Sequence, residues 1–198
     1  MNHRSLLQEL IHSLCCLPGV GPKSAQRMAF YLLQRNRAGG MQLSKILAQA
    51  MSEMQYCGSC QTLSETALCH ICSDKSRDAA TLCIVESPAD VWLIEQATHF
   101  KGQYFVLHGK LSPLDGIGPE QLGIDKLEKR LNSGVINELI LATNATVESQ
   151  ATAHFIAEIA AKLQVRATRI AHGVPFGGEL EFIDSNTLAH AFNDRRDL

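Results

Sequence analysis

Long hydrophobic runs are missing from this sequence of 198 residues, although 45% of its residues are hydrophobic. No apolar run approaches the roughly 18–20 residues that a membrane-spanning helix needs. The first residues lead into an amphipathic segment and lack the apolar centre of a signal peptide. We therefore expect a cytoplasmic protein with one or two domains and a substantial hydrophobic core.

Several well-known functional motifs are also missing. The sequence has no Gly-x4-Gly-Lys-Ser/Thr phosphate loop, no Gly-x-Ser-x-Gly nucleophile turn and no Rossmann glycine pattern. It has neither internal repeats nor low-complexity segments. These absences argue against a P-loop ATPase, an α/β-hydrolase and a dinucleotide-binding enzyme.

The formal net charge is low, at -2, but the charges are unevenly distributed. Residues 1–45 carry six basic side chains and one acidic side chain, and the remainder carries twelve basic and nineteen acidic ones. A basic end on an acidic body indicates a polyanionic partner for the basic end. On charge alone, a solvated helix surface is the simpler explanation.

A basic hairpin is predicted near the amino terminus. Two predicted helices, residues 5–16 and 23–34, flank a short turn that contains Gly19 and Gly21. Glycine leaves backbone N–H groups uncovered, and the partial positive charge at the start of the second helix suits a phosphate. The element is similar to a helix-hairpin-helix, which holds the nucleic-acid backbone without reading bases. An ordinary turn between two helices is the alternative. The predicted DNA contacts are Gly19, Gly21, Lys23, Arg27, Arg35 and Arg37.

Four of the seven cysteines form two closely spaced pairs, Cys57 with Cys60 and Cys69 with Cys72. Each pair can bring two thiolates to one metal ion, and four thiolates make a closed tetrahedral zinc site with no open position for chemistry. A redox dithiol and buried free thiols are the alternatives. We predict structural zinc, because this short segment has almost no core of its own. His70 is interpreted as a residue that does not bind the metal.

The chain after residue 80 has the alternating pattern of an α/β domain. Short apolar segments that predict strands alternate with amphipathic segments that predict helices, which indicates a parallel sheet covered on both faces. The predicted strands are residues 81–86, 103–107, 138–142, 165–170 and a short fifth at 181–183. The predicted helices there are residues 89–98, 124–132, 149–163 and 186–195. Upstream, residues 35–40 are predicted to be a polar link and residues 43–56 a third helix.

Acidic and amide side chains follow two of these strands. Glu86 ends the first strand, and Asn144 and Glu148 follow the third. A Mg²⁺-dependent phosphoryl-transfer site would use several carboxylates at this edge, but the third strand offers mostly neutral oxygens. We therefore interpret Glu86, Asp90, Asn144 and Glu148 as partner contacts. His172 is a candidate general base, although a single loop histidine is more often structural.

These segments occur together in the order found in a known family, and the chain resembles the RecR family of bacterial recombination mediators. The resemblance rests on residues 16–29, 57–72, 84–90, 111–119, 141–144 and 170–175. It implies a helix-hairpin-helix region at 1–56, a four-cysteine zinc finger at 57–72, a Toprim domain at 80–172 and a C-terminal segment at 173–198. The family often has proline and glycine where this chain has Ala145 and Ser149.

The resemblance also implies a function. It implies a non-enzymatic DNA-repair mediator that acts with RecO and RecF to load recombinase on single-stranded or gapped DNA, and that assembles into a tetrameric ring. Two alternatives come from the residues. One is a Mg²⁺-dependent Toprim nuclease or nucleotidyl-transfer enzyme using Glu86 and Glu148, and the other is a purely structural zinc protein with no DNA role.

Overall fold

The computed structural model describes residues 5–171, 173–175, 177–193 and 195. The chain divides into an amino-terminal unit, residues 1–54, and a carboxy-terminal unit, residues 55–198. Among the described residues, no helix is both long enough and apolar enough to cross a membrane.

The amino-terminal unit is built from three helices: α1 (Leu6–Leu14), α2 (Pro22–Gln34) and α3 (Arg37–Glu53). A capping box fixes the start of α1, where the Ser5 side chain accepts from the Gln8 N–H and the Gln8 side chain accepts from the Ser5 N–H. The fully buried residues of the three helices are Ala25 and Ala29, both on α2. The small side chains of α2 therefore form the enclosed part of this unit.

The prediction of a polar link at residues 35–40 was wrong, because α3 begins at Arg37. The Asn36 side chain accepts a hydrogen bond of 2.9 Å from the Gly39 N–H and so caps the helix. A Cβ atom on Gly39 would clash with the Asn36 amide group. Gly39 suggests a link in the sequence, but in the structure its missing Cβ atom makes room for the Asn36 cap, and α3 continues through it.

The carboxy-terminal unit starts with a two-stranded antiparallel ribbon and continues into a parallel sheet with helices. Its strands are β1 (Gln55–Tyr56), β2 (Leu63–Ser64), β3 (Thr81–Val85), β4 (Gln103–Val106), β5 (Glu138–Leu141) and β6 (Arg166–Arg169). Its helices are α4 (His70–Ser73), α5 (Pro88–Ala97), α6 (Ile124–Leu131), α7 (Val147–Lys162) and α8 (Ser185–Asn193). Two short 3-10 helices lie at Pro113–Asp115 and Leu180–Phe182.

The predicted fifth strand at residues 181–183 was wrong, because this segment belongs to the second 3-10 helix. The Phe182 N–H donates to the Glu179 carbonyl at 3.1 Å, and the Ile183 N–H donates to the Leu180 carbonyl at 3.3 Å. These are the three-residue steps of a 3-10 helix. The alternation of acidic and apolar residues suggests a strand, but no described strand pairs with this segment.

The parallel sheet has the strand order β4-β3-β5-β6. Side chains alternate between its two faces along each strand. Leu82 and Ile84 of β3 belong to one buried cluster, which includes apolar residues of α6 and α7. Cys83 and Val85 belong to a second cluster, which includes Val91 of α5 and three of the paired cysteines. The cysteine segment therefore forms part of the layer that covers one face of the sheet.

A partly buried ion pair lies on the same face of the sheet. The Arg77 guanidinium donates to both carboxylate oxygens of Glu95, at 2.9 and 2.6 Å, and the Tyr104 hydroxyl donates to Glu95 at 2.7 Å. The hydrogen bonds from Arg77 lower the pKa of Glu95. Burial and the Glu95 carboxylate raise the pKa of Tyr104, so the phenol stays protonated.

Candidate zinc centre and nucleic-acid interface

The four paired cysteines converge on one point. The Sγ atoms of Cys57, Cys60, Cys69 and Cys72 all lie within 4.8 Å of one another, and the Cys60 and Cys69 sulfurs are 3.5 Å apart. Four sulfurs around a zinc ion at about 2.3 Å are about 3.8 Å apart in a tetrahedron, so the cluster fits zinc. The exposed His70 is not a member of this group.

Hydrogen bonds of the local backbone orient these thiols. The Gln61 N–H donates to the Cys57 carbonyl at 2.9 Å, which closes the turn around the first pair. Cys69 caps the short helix α4, and its sulfur accepts from the Cys72 N–H at 3.4 Å. The Cys57 sulfur accepts from the Cys69 N–H at 3.3 Å. Backbone donors of this kind stabilise thiolates and orient them toward a metal.

The thiols also influence each other's protonation. A hydrogen bond from Cys60 lowers the pKa of Cys72 to about 5, and the same bond raises the pKa of Cys60. The close approach of the four sulfurs therefore couples their protonation. Zinc binding requires the thiolate forms, and it replaces these protons with one divalent ion. Cys83 is different, since burial alone raises its pKa to about 12 and it is a small core residue.

The two glycines in the turn between α1 and α2 have different backbone conformations. Gly19 has a φ of 76°, in the left-handed region that favours glycine, whereas Gly21 is extended with a φ of -84°. Gly21 is the N-cap of α2, and no described side chain caps this helix. Pro22 occupies the first turn, where its missing N–H is not needed. The other backbone N–H groups in the first turn of α2 therefore have no side-chain acceptor among the described residues, and an anion could accept from them.

The structure separates the predicted DNA-contacting cations into two places. Lys23 lies in the first turn of α2 and Arg27 lies one turn further along, and both side chains are exposed. Arg35 is the C-cap of α2 and Arg37 is the first residue of α3. Lys23 and Arg35 are twelve positions apart along α2, which is about 18 Å along the helix axis. Within the described part of the chain none of these four cations forms an ion pair.

A polar cavity of about 330 Å³ lies at the carboxyl ends of the parallel strands. Glu86 after β3 and Asn144 after β5 meet there, since these two strands are neighbours. The Asn144 backbone N–H donates to Glu86 Oε1 at 2.8 Å, and its Nδ2 donates to Oε2 at 2.7 Å. Asp90 also lines the cavity, and one of its oxygens accepts from the Ser87 N–H and hydroxyl at 2.8 and 2.9 Å.

Glu148, the fourth predicted partner contact, does not line this cavity. It lies in the first turn of α7 and forms an ion pair of 3.2 Å with Lys110. Its own backbone N–H and the Lys110 ammonium lower its pKa. The structure therefore brings three of the four predicted partner contacts together and pairs the fourth with a cation.

Some residues of these sites were missed in the sequence. His108 and Gly109 line the polar cavity, and Lys110 pairs with Glu148. Their position directly after β4 is a signal that could have found them, because open α/β sheets place their sites at this edge. His172, the candidate general base, lies outside the described residues.

Family models match four consecutive segments of the chain. They describe a RecR helix-hairpin-helix over residues 7–51, a RecR zinc finger domain with four cysteine ligands over 54–74, a Toprim domain over 80–171 and a RecR C-terminal region over 173–196. They confirm the predicted multi-part α/β architecture, and together with the convergent thiols they confirm a four-cysteine zinc site.

Proposed function

This chain belongs to the RecR family, and from that premise we propose that it is a non-enzymatic DNA clamp. Its domains give it a role as a DNA-binding mediator of recombination and repair. The finer proposal is that it encircles single-stranded or gapped DNA as a tetrameric ring and acts there with RecO and RecF to load recombinase. We propose that the protein is located in the cytoplasm. We also propose that its domains span residues 1–56, 57–72, 80–172 and 173–198.

One observation carries the proposal of DNA binding, namely the uncapped start of α2. Lys23 and Arg27 are exposed beside it and form no ion pair among the described residues. Free backbone donors and cations together recognise phosphates. Contacts of this kind give an affinity that does not depend on the base sequence. We propose Gly19, Gly21, Lys23 and Arg27 as one contact group, and Arg35 and Arg37 as a second.

The experiment is a titration of DNA binding against salt. Each lost phosphate contact lowers the slope of log affinity against log salt by about 0.7 to 0.9. We expect Lys23→Ala with Arg27→Ala to lower the slope by roughly 1.5 and to weaken binding to every DNA sequence alike. Lys45→Ala, an exposed cation on α3, is the matched control. An unchanged slope in the double variant would contradict the proposed contact.

An exposed apolar stripe on α3 supports self-assembly. Leu43, Leu47 and Met51 follow the helical spacing of four residues, and their side chains are 53%, 54% and 75% exposed. Large exposed apolar patches of monomers mark interaction sites. We propose that a second copy of the chain covers this stripe in the ring. Sedimentation with and without gapped DNA measures this assembly, and a species that stays monomeric in both conditions would exclude the ring.

The polar cavity supports a docking role over a catalytic one. Both oxygens of Glu86 accept from Asn144, Asp90 caps α5, and Glu148 pairs with Lys110. Phosphoryl transfer needs several carboxylates free to hold Mg²⁺. We propose Glu86, Asp90, Asn144 and Glu148 as contacts for basic surfaces of RecO or RecF. Mg²⁺-dependent nuclease activity that Glu86→Ala abolishes would favour the enzyme instead.

A further inference from the structure

Strand β4 is an edge strand of the parallel sheet. The Leu107 N–H donates to the Val85 carbonyl at 2.9 Å, so this residue directs its N–H toward β3. Because backbone groups alternate along a strand, those of Tyr104 and Val106 point the other way, toward the open edge. Unpaired edge groups are a template for pairing with another chain, so proteins cover them.

The cysteine segment covers this edge. We call residues 57–61 the zinc knuckle. The Val106 N–H donates to the Cys60 carbonyl at 2.9 Å, and Gln61 Nε2 donates to the Val106 carbonyl at 3.2 Å. Gln61 has a φ of 64°, a left-handed conformation that is costly for a residue with a Cβ atom. Lys126 Nζ donates to the Gln61 side chain at 3.1 Å and helps to hold it in place.

Arg130 of α6 links the edge to the knuckle. Its Nη1 donates to the Tyr104 carbonyl at 2.8 Å and lies 3.5 Å from the carbonyl of Ser59, between the first two zinc ligands. Its Nη2 donates to the Gln103 side chain. The side chain is partly buried, and a buried charge needs a partner of opposite sign.

The four thiolates of the zinc centre are the negative groups best placed to act as that partner, because Nη1 of Arg130 lies beside the carbonyl of Ser59, between Cys57 and Cys60 in the chain. A zinc ion with four thiolates carries net negative charge, and no other charged side chain pairs with Arg130 among the described residues. Burial lowers the pKa of Arg130, and the four cysteine sulfurs oppose that effect. Residues outside the ligand set commonly tune metal affinity in this way.

We infer that Arg130 is an outer positioning residue of the zinc centre, and that zinc, through Arg130 and the knuckle, keeps the β4 edge covered. Zinc loss should release the knuckle, and with it the Cys60 and Gln61 partners of Val106. The edge would then open to solvent and to other chains. This inference does not depend on DNA binding by the hairpin.

The first test measures zinc release from the full-length protein to an excess of a coloured chelator. Loss of an outer partner typically costs about 10–100-fold in metal affinity, and we expect Arg130→Gln to speed zinc release by about that factor. Arg130→Lys keeps the charge but loses the forked donors, so its rate should lie between those of Arg130→Gln and the wild type. Lys129→Gln is the matched control, because Lys129 is 81% exposed on the same helix.

The second test measures hydrogen exchange of the Val106 amide, which reports directly on the edge. We expect exchange to accelerate by about 10-fold or more in the zinc-stripped protein and in Arg130→Gln, while the Leu107 amide changes less because its partner is in β3. A role for Arg130 in packing alone would lower thermal stability without changing zinc release. If Arg130→Gln does not fold, Arg130→Lys serves for both measurements. Wild-type release rates, or a Val106 amide insensitive to zinc, would overturn the inference.

Discussion

In the amino-terminal unit Ala25 and Ala29 are the buried residues of the three helices, whereas the carboxy-terminal unit encloses two clusters of large side chains around its sheet. The first unit leaves apolar side chains of α3 exposed and keeps its cations unpaired among the described residues. The second unit contains ion pairs that link separate elements, namely Arg77 with Glu95 and Lys110 with Glu148.

The difference indicates that the two units have different roles. Exposed cations bind phosphates best when no internal carboxylate competes for them, and a thin core is tolerable where another chain can cover the apolar stripe. The docking surface that we propose on the second unit instead needs fixed geometry, which a metal and a packed sheet provide. Changes in the carboxy-terminal unit should therefore alter stability, and changes in the amino-terminal unit should alter DNA affinity.

The largest expected effect comes from removing the metal. Zinc contributes roughly 10–16 kcal/mol of binding energy to the folding of small finger peptides. Even a fraction of that energy should make Cys60→Ser melt at least about 10 °C below the wild type, since about 1 kcal/mol shifts a chain of this size by about 2–4 °C. Calorimetry with zinc analysis is the measurement. Cys16→Ser is the control, because Cys16 is exposed. A zinc-free variant that melts at the wild-type temperature would show that the carboxy-terminal unit does not depend on the metal for its stability.

Next in size is the loss of the partly buried ion pair between Arg77 and Glu95. Arg77→Leu leaves the Glu95 carboxylate without its cation, and the side chains of the pair are only 7% and 26% exposed. Breaking a fully buried pair on one side costs about 3–5 kcal/mol, so we expect about 2 kcal/mol for this partly buried pair. Urea unfolding should show this loss, while DNA affinity measured below the unfolding transition should not change. An equal loss of DNA affinity would contradict the division between the units.

The same pair predicts acid sensitivity. Arg77 lowers the pKa of Glu95 below its usual value of 4.5, so the folded state holds this proton less tightly than the unfolded state does. The stabilisation is therefore fully present above about pH 5 and is lost as the pH falls through the lowered pKa. The free energy of unfolding of Glu95→Gln should fall less steeply below about pH 4.5 than that of the wild type. Parallel acid profiles would show that the pair does not contribute.

A smaller effect should separate the two hairpin glycines. Gly19→Ala forces an alanine into the left-handed region and should destabilise the amino-terminal unit by about 1–2 kcal/mol. Gly21→Ala should cost less stability than Gly19→Ala, because its backbone is extended and a Cβ atom would meet nothing within 4 Å, so that only the weaker N-cap preference of alanine remains. It should nevertheless weaken DNA binding if a phosphate approaches the start of α2. Thermal unfolding and DNA titration of both variants would show whether Gly19 mainly affects stability and Gly21 mainly affects DNA binding.

The smallest effect should come from Glu86→Gln. The Glu86 carboxylate accepts from Asn144 at the surface, and a glutamine can still accept one of these bonds. We expect a stability change of about 1 kcal/mol or less and no change in DNA affinity. A large loss of DNA affinity in this variant would place part of the DNA contact on the carboxy-terminal unit.

Much of this molecule was predictable from short spacings. The two cysteine pairs predicted the zinc site, and the Gly-Val-Gly-Pro-Lys segment predicted the hairpin, since in both cases the interacting residues are neighbours in the chain. Apolar segments predicted the four strands of the parallel sheet. The link at 35–40 and the strand at 181–183 were wrong, because a single cap at Asn36 and a local 3-10 turn outweighed composition.

The amino-acid order was enough to specify the zinc ligands, the hairpin and the succession of strands, because each of these depends on residues within one short segment of the chain. Folding in three dimensions was needed to show that Asn144 satisfies Glu86, 58 residues away, and that Arg130 lies beside the carbonyl of Ser59, 71 residues away. Contacts of that range arise when the sheet and the elements packed against it bring distant parts of the chain together, and the spacing of residues within a short segment does not predict them.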